Sequence, residues 1–162
     1  MNNKLKISLD KISIKNLSEI TYELVKIKSE TGNSDEVAQY IANYFKKLDI
    51  DCELDCFMPG IPNVIAVIRG KGEGKMSLLG HMDTIPAYGN PAPFIENGKI
   101  YGRGACDMKG GLAGMMEIAR IIKQENIEVG GELIFAFHAA HEIPGKAEGL
   151  FRMIEKKQLG DA

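Results

Sequence analysis

Three short stretches hold nearly every side chain of this chain suited to metal or proton-transfer chemistry: Gly80-His81-Met82-Asp83-Thr84, Gly102-Arg103-Gly104-Ala105-Cys106-Asp107-Met108-Lys109-Gly110-Gly111 and His138-Ala139-Ala140-His141-Glu142. All three histidines lie inside them. Imidazole and carboxylate together are the donors that hold borderline divalent cations. In an extended chain residues two apart point the same way, so His81 and Asp83 can share a face, with the carboxylate fixing the tautomer of the imidazole. A structural hydrogen-bonded pair is the alternative. Asp107 sits amid four glycines, which lets backbone pack closely around a side chain. Arg103 and Lys109 could instead form solvated ion pairs with it. Cys106 is weighed as a ligand too, but neighbours in an extended segment point apart.

The elements that must position these residues follow from periodicity. Residues 17–29 predict a first helix, with Ile20, Leu24 and Ile27 on one face. Thr31-Gly32-Asn33-Ser34 breaks it. Asn33 and Glu36 form a capping pair for a second helix on Val37, Ile41, Phe45 and Leu48, which ends near Asp49. Strands are predicted at residues 52–56, at the largely apolar 63–68 and at 76–79, the last delivering His81 and Asp83 at its C-terminal end. Gly70-Lys71-Gly72-Glu73-Gly74 is a turn without the lysine and hydroxyl pattern of a phosphate loop. Asn97-Gly98 centres a hairpin between Phe94-Ile95 and Ile100-Tyr101. A helix over residues 111–125 buries Leu112, Met115, Met116, Ala119 and Ile122, strand 133–137 carries His138, His141 and Glu142 at its end, and a last helix covers residues 147–157. Pro144-Gly145 is a turn before it, and Glu148 a first-turn helix residue. This order implies an α/β fold with a mixed, largely parallel sheet flanked by helices. His81, Asp107 and Glu142 are expected to converge at the C-terminal ends of adjacent strands.

In order and spacing the three stretches resemble the zinc-dependent amidohydrolases that include aminoacylase, carboxypeptidase G, acetylornithine deacetylase and succinyl-diaminopimelate desuccinylase. Ile27-Lys28-Ser29 and Pro62-Asn63-Val64-Ile65-Ala66 extend the likeness. The resemblance implies that Asp107 bridges two metal ions and is followed by a cis peptide bond to Met108, that His81 holds one ion and Glu142 the other, and that Asp83 orients His81. Laid on the family's Thr-x-Asp-Glu-Glu segment, His138 takes the threonine position, Ala140 the aspartate, His141 the first glutamate and Glu142 the second. The first glutamate is the family's general base, so His141 stands at the base position. The implied cofactor is zinc, two ions in the complete enzyme, with cobalt or manganese as substitutes. The implied substrate is a small N-acyl amino acid or short peptide, cleaved at an amide bond.

The resembling proteins run on well past this length, with a further metal-binding carboxylate, an inserted lid and dimerisation domain, and a distal ligand histidine. Residues 1–162 are therefore expected to be the N-terminal part of a zinc-peptidase-like catalytic domain, incomplete, weak in zinc binding, inactive alone and homodimeric only in its complete form. Asp161 is too near the terminus to replace the missing carboxylate. A competing expectation is a non-catalytic remnant or pseudoenzyme with weak single-metal binding, and a third is a plain α/β binding module.

The bulk numbers agree with one soluble domain: 44% hydrophobic and 26% charged residues, and a net charge of −2 that gives no electrostatic case for nucleic acid or an anionic membrane. Charges at Asp10, Lys11 and Lys15 interrupt the N-terminal region, so no signal-peptide or membrane-span pattern is present and the cytoplasm is the expected compartment. Three cysteines without a dense framework fit a reducing setting, and Asn16-Leu17-Ser18, a glycosylation triplet, has no use there.

Overall fold

The computed structural model describes residues 10–160. Asp161, read above, lies outside them. In chain order the elements are α1 (Ile14–Lys26), α2 (Asp35–Lys47), β1 (Asp51–Met58), β2 (Ile61–Ile68), β3 (Lys75–His81), β4 (Phe94–Glu96), β5 (Lys99–Tyr101), α3 (Gly110–Gln124), β6 (Glu132–His138) and α4 (Glu148–Glu155). Four strands form the main sheet in the order β1-β2-β6-β3, while β4 and β5 make a separate hairpin.

The sheet is mixed, as expected, but its parallel share is smaller than the sequence implied. Only β3 and β6 run parallel; β1 with β2 and β2 with β6 are antiparallel. The physical reason is the connection. Pro59-Gly60 joins β1 to β2 directly, with Gly60 at φ +73°, and a tight turn can only fold a strand back on itself. The β3-to-β6 route passes through the hairpin and α3, long enough to bring β6 round alongside β3 in the same direction.

Helices cover both faces. Val64, Ala66, Phe135 and Phe137 point to the side of α1, α2 and α3, where Phe45 packs on the two phenylalanines with ring centroids 5.4 and 5.6 Å away. The alternate residues Ile65, Ile134 and Ala136 pack on Met153 of α4. β1 breaks the simple alternation: a register shift between Cys56 and Met58 turns Cys56 outward and brings Phe57 to the core beside Cys52 and Leu54.

Local signals were mostly sound to within a few residues. α2, however, is not capped by Asn33; it starts after Ser34, whose hydroxyl makes no cap bond, while the Asn33 N–H donates to the Glu30 carbonyl. α1 begins earlier than its apolar periodicity suggested because the Ser13 hydroxyl accepts from the Asn16 N–H. Asn97 and Gly98 both have positive φ, 49° and 72°, the geometry of a two-residue hairpin turn. Among the described residues no helix is long and apolar enough to cross a membrane.

Candidate metal centre

β3 and β6 are neighbours in register, Lys75 opposite Glu132 through to His81 opposite His138. The third chemical stretch leaves β6 at that point and turns back over the end of β3. This brings Glu142 to His81. Asp107 arrives differently, not from a strand end but from the wide turn of Ala105–Lys109 that leads into α3. The peptide bond between Asp107 and Met108 is cis. Ligand atoms of His81, Asp107 and Glu142 lie within 4.8 Å of one another.

Two close approaches make this convergence possible. A side chain at Gly80 would meet Leu112 Cδ2 at 2.6 Å and Met108 Cε at 2.8 Å, so it would have to push these two side-chain ends away from the end of β3. Gly104 has φ +83°, and a Cβ there would meet Thr84 Cγ2 at 2.7 Å. Met108 also reaches back, its sulfur accepting from the His81 N–H at 3.2 Å.

His81 Nδ1 lies 2.9 Å from the Asp83 carbonyl oxygen, which can only accept, so Nδ1 carries a proton. In the neutral ring Nε2 then presents a lone pair. That lone pair faces Asp107 Oδ1 at 3.0 Å and Glu142 Oε1 at 3.9 Å. Three acceptors pointed at one another call for a cation between them, either a second proton on the ring or a metal ion. One imidazole and two carboxylates are a donor set that suits a borderline divalent cation.

The alternative in which Arg103 and Lys109 neutralise Asp107 does not occur. The Lys109 ammonium is buried and donates to the Ile27 carbonyl at 2.6 Å; burial pushes its pKa down to about 8, with the charge of Glu36 opposing the shift. Among the described residues neither Asp107 nor Glu142 forms an ion pair with lysine or arginine. Cys106 is exposed and outside the ligand cluster.

Asp83 is placed differently from the reading that its carboxylate orients His81. Its Oδ1 is 3.9 Å from Nδ1, too far for a hydrogen bond, and it is the Asp83 main-chain carbonyl that fixes the ring. The carboxylate, fully buried, is occupied elsewhere. Oδ1 accepts from the His141 N–H at 3.1 Å, while Oδ2 accepts from the Glu142 N–H at 2.9 Å and the Thr31 hydroxyl at 2.8 Å. Asp83 thus ties together the ends of β3, the α1-to-α2 connection and the turn bearing Glu142. Thr31 was read in the sequence only as part of a helix break.

His141 is exposed and lies flat on His81, ring centroids 4.5 Å apart and planes inclined by 14°. His138, which the sequence left without a role, completes a cluster of three imidazoles; its ring meets that of His141 edge-on at 5.2 Å. It is buried, and its Nδ1 has no partner among the described residues. Burial, then the neighbouring His141 and His81, push its pKa down to about 4, so His138 is neutral near pH 7.

Comparison with known proteins sets this geometry in a family. The pattern of peptidase family M20/M25/M40 matches residues 77–162, more than half of the chain and all three chemical stretches. The chain belongs to this family. A protein of Pyrococcus furiosus that carries the name of a LysW-lysine/LysW-ornithine hydrolase is 44% identical over 103 residues, covering 63% of this chain and 29% of its own. A succinyl-diaminopimelate desuccinylase of Wolbachia pipientis is 30% identical over 131 residues, covering 76% of this chain and 33% of its own. Among solved structures, a tripeptidase from Staphylococcus aureus superposes with a TM-score of 0.73 at 29% identity over 94% of this chain and 42% of its own. An M20 family metallo-carboxypeptidase from Sulfolobus solfataricus gives 0.75 at 26% identity over 88% and 35%. This M20 chain spans about a third of the length of the curated relatives it matches.

Proposed function

We propose that this M20 chain carries part of the centre of a co-catalytic zinc amidohydrolase that cleaves an amide or peptide bond in a small N-acyl amino acid or short peptide. The observation that carries this reading is the meeting of the His81 Nε2 lone pair with two carboxylates that no lysine or arginine among the described residues neutralises. In the whole enzyme Asp107 would bridge two ions, His81 would hold one and Glu142 the other. When bound, the ions supply Lewis acidity toward the scissile carbonyl and the attacking water. The chain's own residues do the rest. Asp83 holds the Glu142 turn in place, its main-chain carbonyl holds the His81 ring, and exposed His141, stacked on His81, would take the proton from the attacking water.

An imidazole brings no negative charge to a site built around cations, where a glutamate would, so His141 is not equivalent to the family's base. That residue, in a position the family fills with glutamate, also favours a second reading: a pseudoenzyme that binds one metal and does not turn over. The three cysteines, none of them paired, support a cytoplasmic setting for either reading.

Zinc titration calorimetry of the chain, with Glu142→Gln and His81→Ala beside it, tests the metal site. Three donors fit one ion, so the expected result is weak binding of at most one zinc, abolished in His81→Ala, with negligible hydrolysis of N-acetyl amino acids. Undiminished binding in both variants would overturn the site. In a chimera completed with the segments of a longer relative, hydrolysis should appear, and His141→Glu should raise kcat far more than it changes KM. A chimera that binds zinc but stays inactive in both forms would favour the pseudoenzyme.

A further inference from the structure

Beside the Glu30–Thr84 bridge lies a cavity of about 430 Å³. Its walls are residues 25–30 at the end of α1, the proline-rich loop around residues 87–93, Thr84, Arg103 and Lys109. None of His81, Asp83, Asp107, His141 and Glu142 lines it. Its charged lining is Lys26, Lys28, Arg103 and Lys109 against Glu30 alone, in a chain whose net charge is −2. Among the described residues only Lys26 of these cations is in an ion pair, with Glu23.

The other three have donor capacity to spare. Arg103 makes no hydrogen bond or ion pair among the described residues, and its Nε is shielded from solvent without an acceptor. The Lys109 ammonium has three protons and one acceptor, the Ile27 carbonyl. Lys28 forms no ion pair among the described residues. Buried donors are normally satisfied, and a guanidinium fork beside two ammonium groups matches the oxygens of a carboxylate or phosphate.

We infer that this cavity is a binding site for a small oxyanion, the carboxylate or phosphate group of a small molecule, with Arg103 as its principal anchor and Lys28 and Lys109 beside it. The site is separate from the metal triad and does not depend on it.

Calorimetric titration of the chain with inorganic phosphate and with malonate, at constant ionic strength, tests this. At least one of the two should saturate at one equivalent, and the tighter of them identifies the source as phosphate or carboxylate. Arg103→Gln should weaken binding by about tenfold or more, the loss of a charge-assisted hydrogen bond. Glu142→Gln, which dismantles the metal triad, should leave anion affinity unchanged. Should Arg103→Gln lose its cooperative melting transition, Lys28→Gln takes its place and should weaken binding by roughly threefold, as expected for a single less buried charge. No saturable binding of either anion, parental affinity in the folded arginine or lysine variant, or loss of binding in Glu142→Gln would each overturn the inference.

Discussion

Two buried carboxylates on this sheet are satisfied in opposite ways. Asp55, on β1, is held by cations: the Arg152 guanidinium at 3.2 Å and the Lys156 ammonium at 2.9 Å, both from the α4 region. Burial opposes its ionisation, but these two partners outweigh it and hold the carboxyl below its ordinary pKa. Asp83, at the end of β3, takes only neutral donors, two backbone N–H groups and a hydroxyl. The first cluster neutralises itself and fastens a helix to a sheet. The second brings no cation of its own to Asp83, and among the described residues no lysine or arginine reaches Asp107 or Glu142 beside it, so the cluster suits an added cation. Structural and chemical acids are distinguished here by the charge of their donors, not by burial.

The sharpest way to break the comparison is Asp83→Ala. It orphans two N–H groups and the Thr31 hydroxyl, and at 1–3 kcal/mol per unsatisfied buried group the expected loss is roughly 4 kcal/mol, read from urea unfolding midpoints. Zinc affinity should fall with it, because the Glu142 turn is released. Asp83→Asn, which keeps one oxygen acceptor but no charge, should recover part of the stability and little of the zinc affinity.

An intermediate effect is expected from His138. Its pKa lies below that of an unfolded histidine, so the unfolded chain binds more protons between about pH 6.5 and 4, and stability falls as the pH drops through that window. A shift of this size corresponds to roughly 3 kcal/mol, spent fully only below the folded pKa. His138→Thr should flatten the acid limb of a plot of unfolding free energy against pH. An unchanged slope would place the acid sensitivity elsewhere.

The smallest effect belongs to the self-neutralised cluster. Arg152→Ala leaves Lys156 in place, and both cationic partners are more than a third exposed, so a loss of about 1 kcal/mol is expected. High salt should shrink it, whereas the Asp83 effect, carried by buried neutral donors, should persist in salt. Equal salt sensitivity of the two variants would erase the distinction.

Much of this architecture was legible in the chain because periodicity is a local signal. Val37, Ile41 and Phe45 announce one helix face, and Leu133 to Phe137 announce a buried strand without any knowledge of partners. What failed was nonlocal. The β1 bulge that exchanges Cys56 for Phe57 depends on registration against β2, and the modest parallel share of the sheet depends on which strand β6 joins. At the site, residue types and spacing led to His81, Asp107 and Glu142, which the structure brings together. Two of the three partners of Asp83 could not be read, since they are backbone N–H groups nearly sixty residues away, which every residue but proline possesses. His138 and the cationic cavity were equally silent. A buried imidazole and an unpaired guanidinium are defined by surroundings, not by sequence neighbours.

The strand order also sets a timetable. β1 and β2 are joined by a tight turn and can pair as soon as both have been made, but β6, the last of the four in the chain, sits in the middle of the sheet. Until it arrives β3 has no neighbour in this sheet, and His81 waits through more than fifty residues of synthesis for the strand that brings Glu142. Such long-range pairing is slow to nucleate. A metal held here is consequently a late arrival that finds its donors only after β6 has locked the two halves together; its expected kinetic signature is slower unfolding of the finished domain with little change in the folding rate.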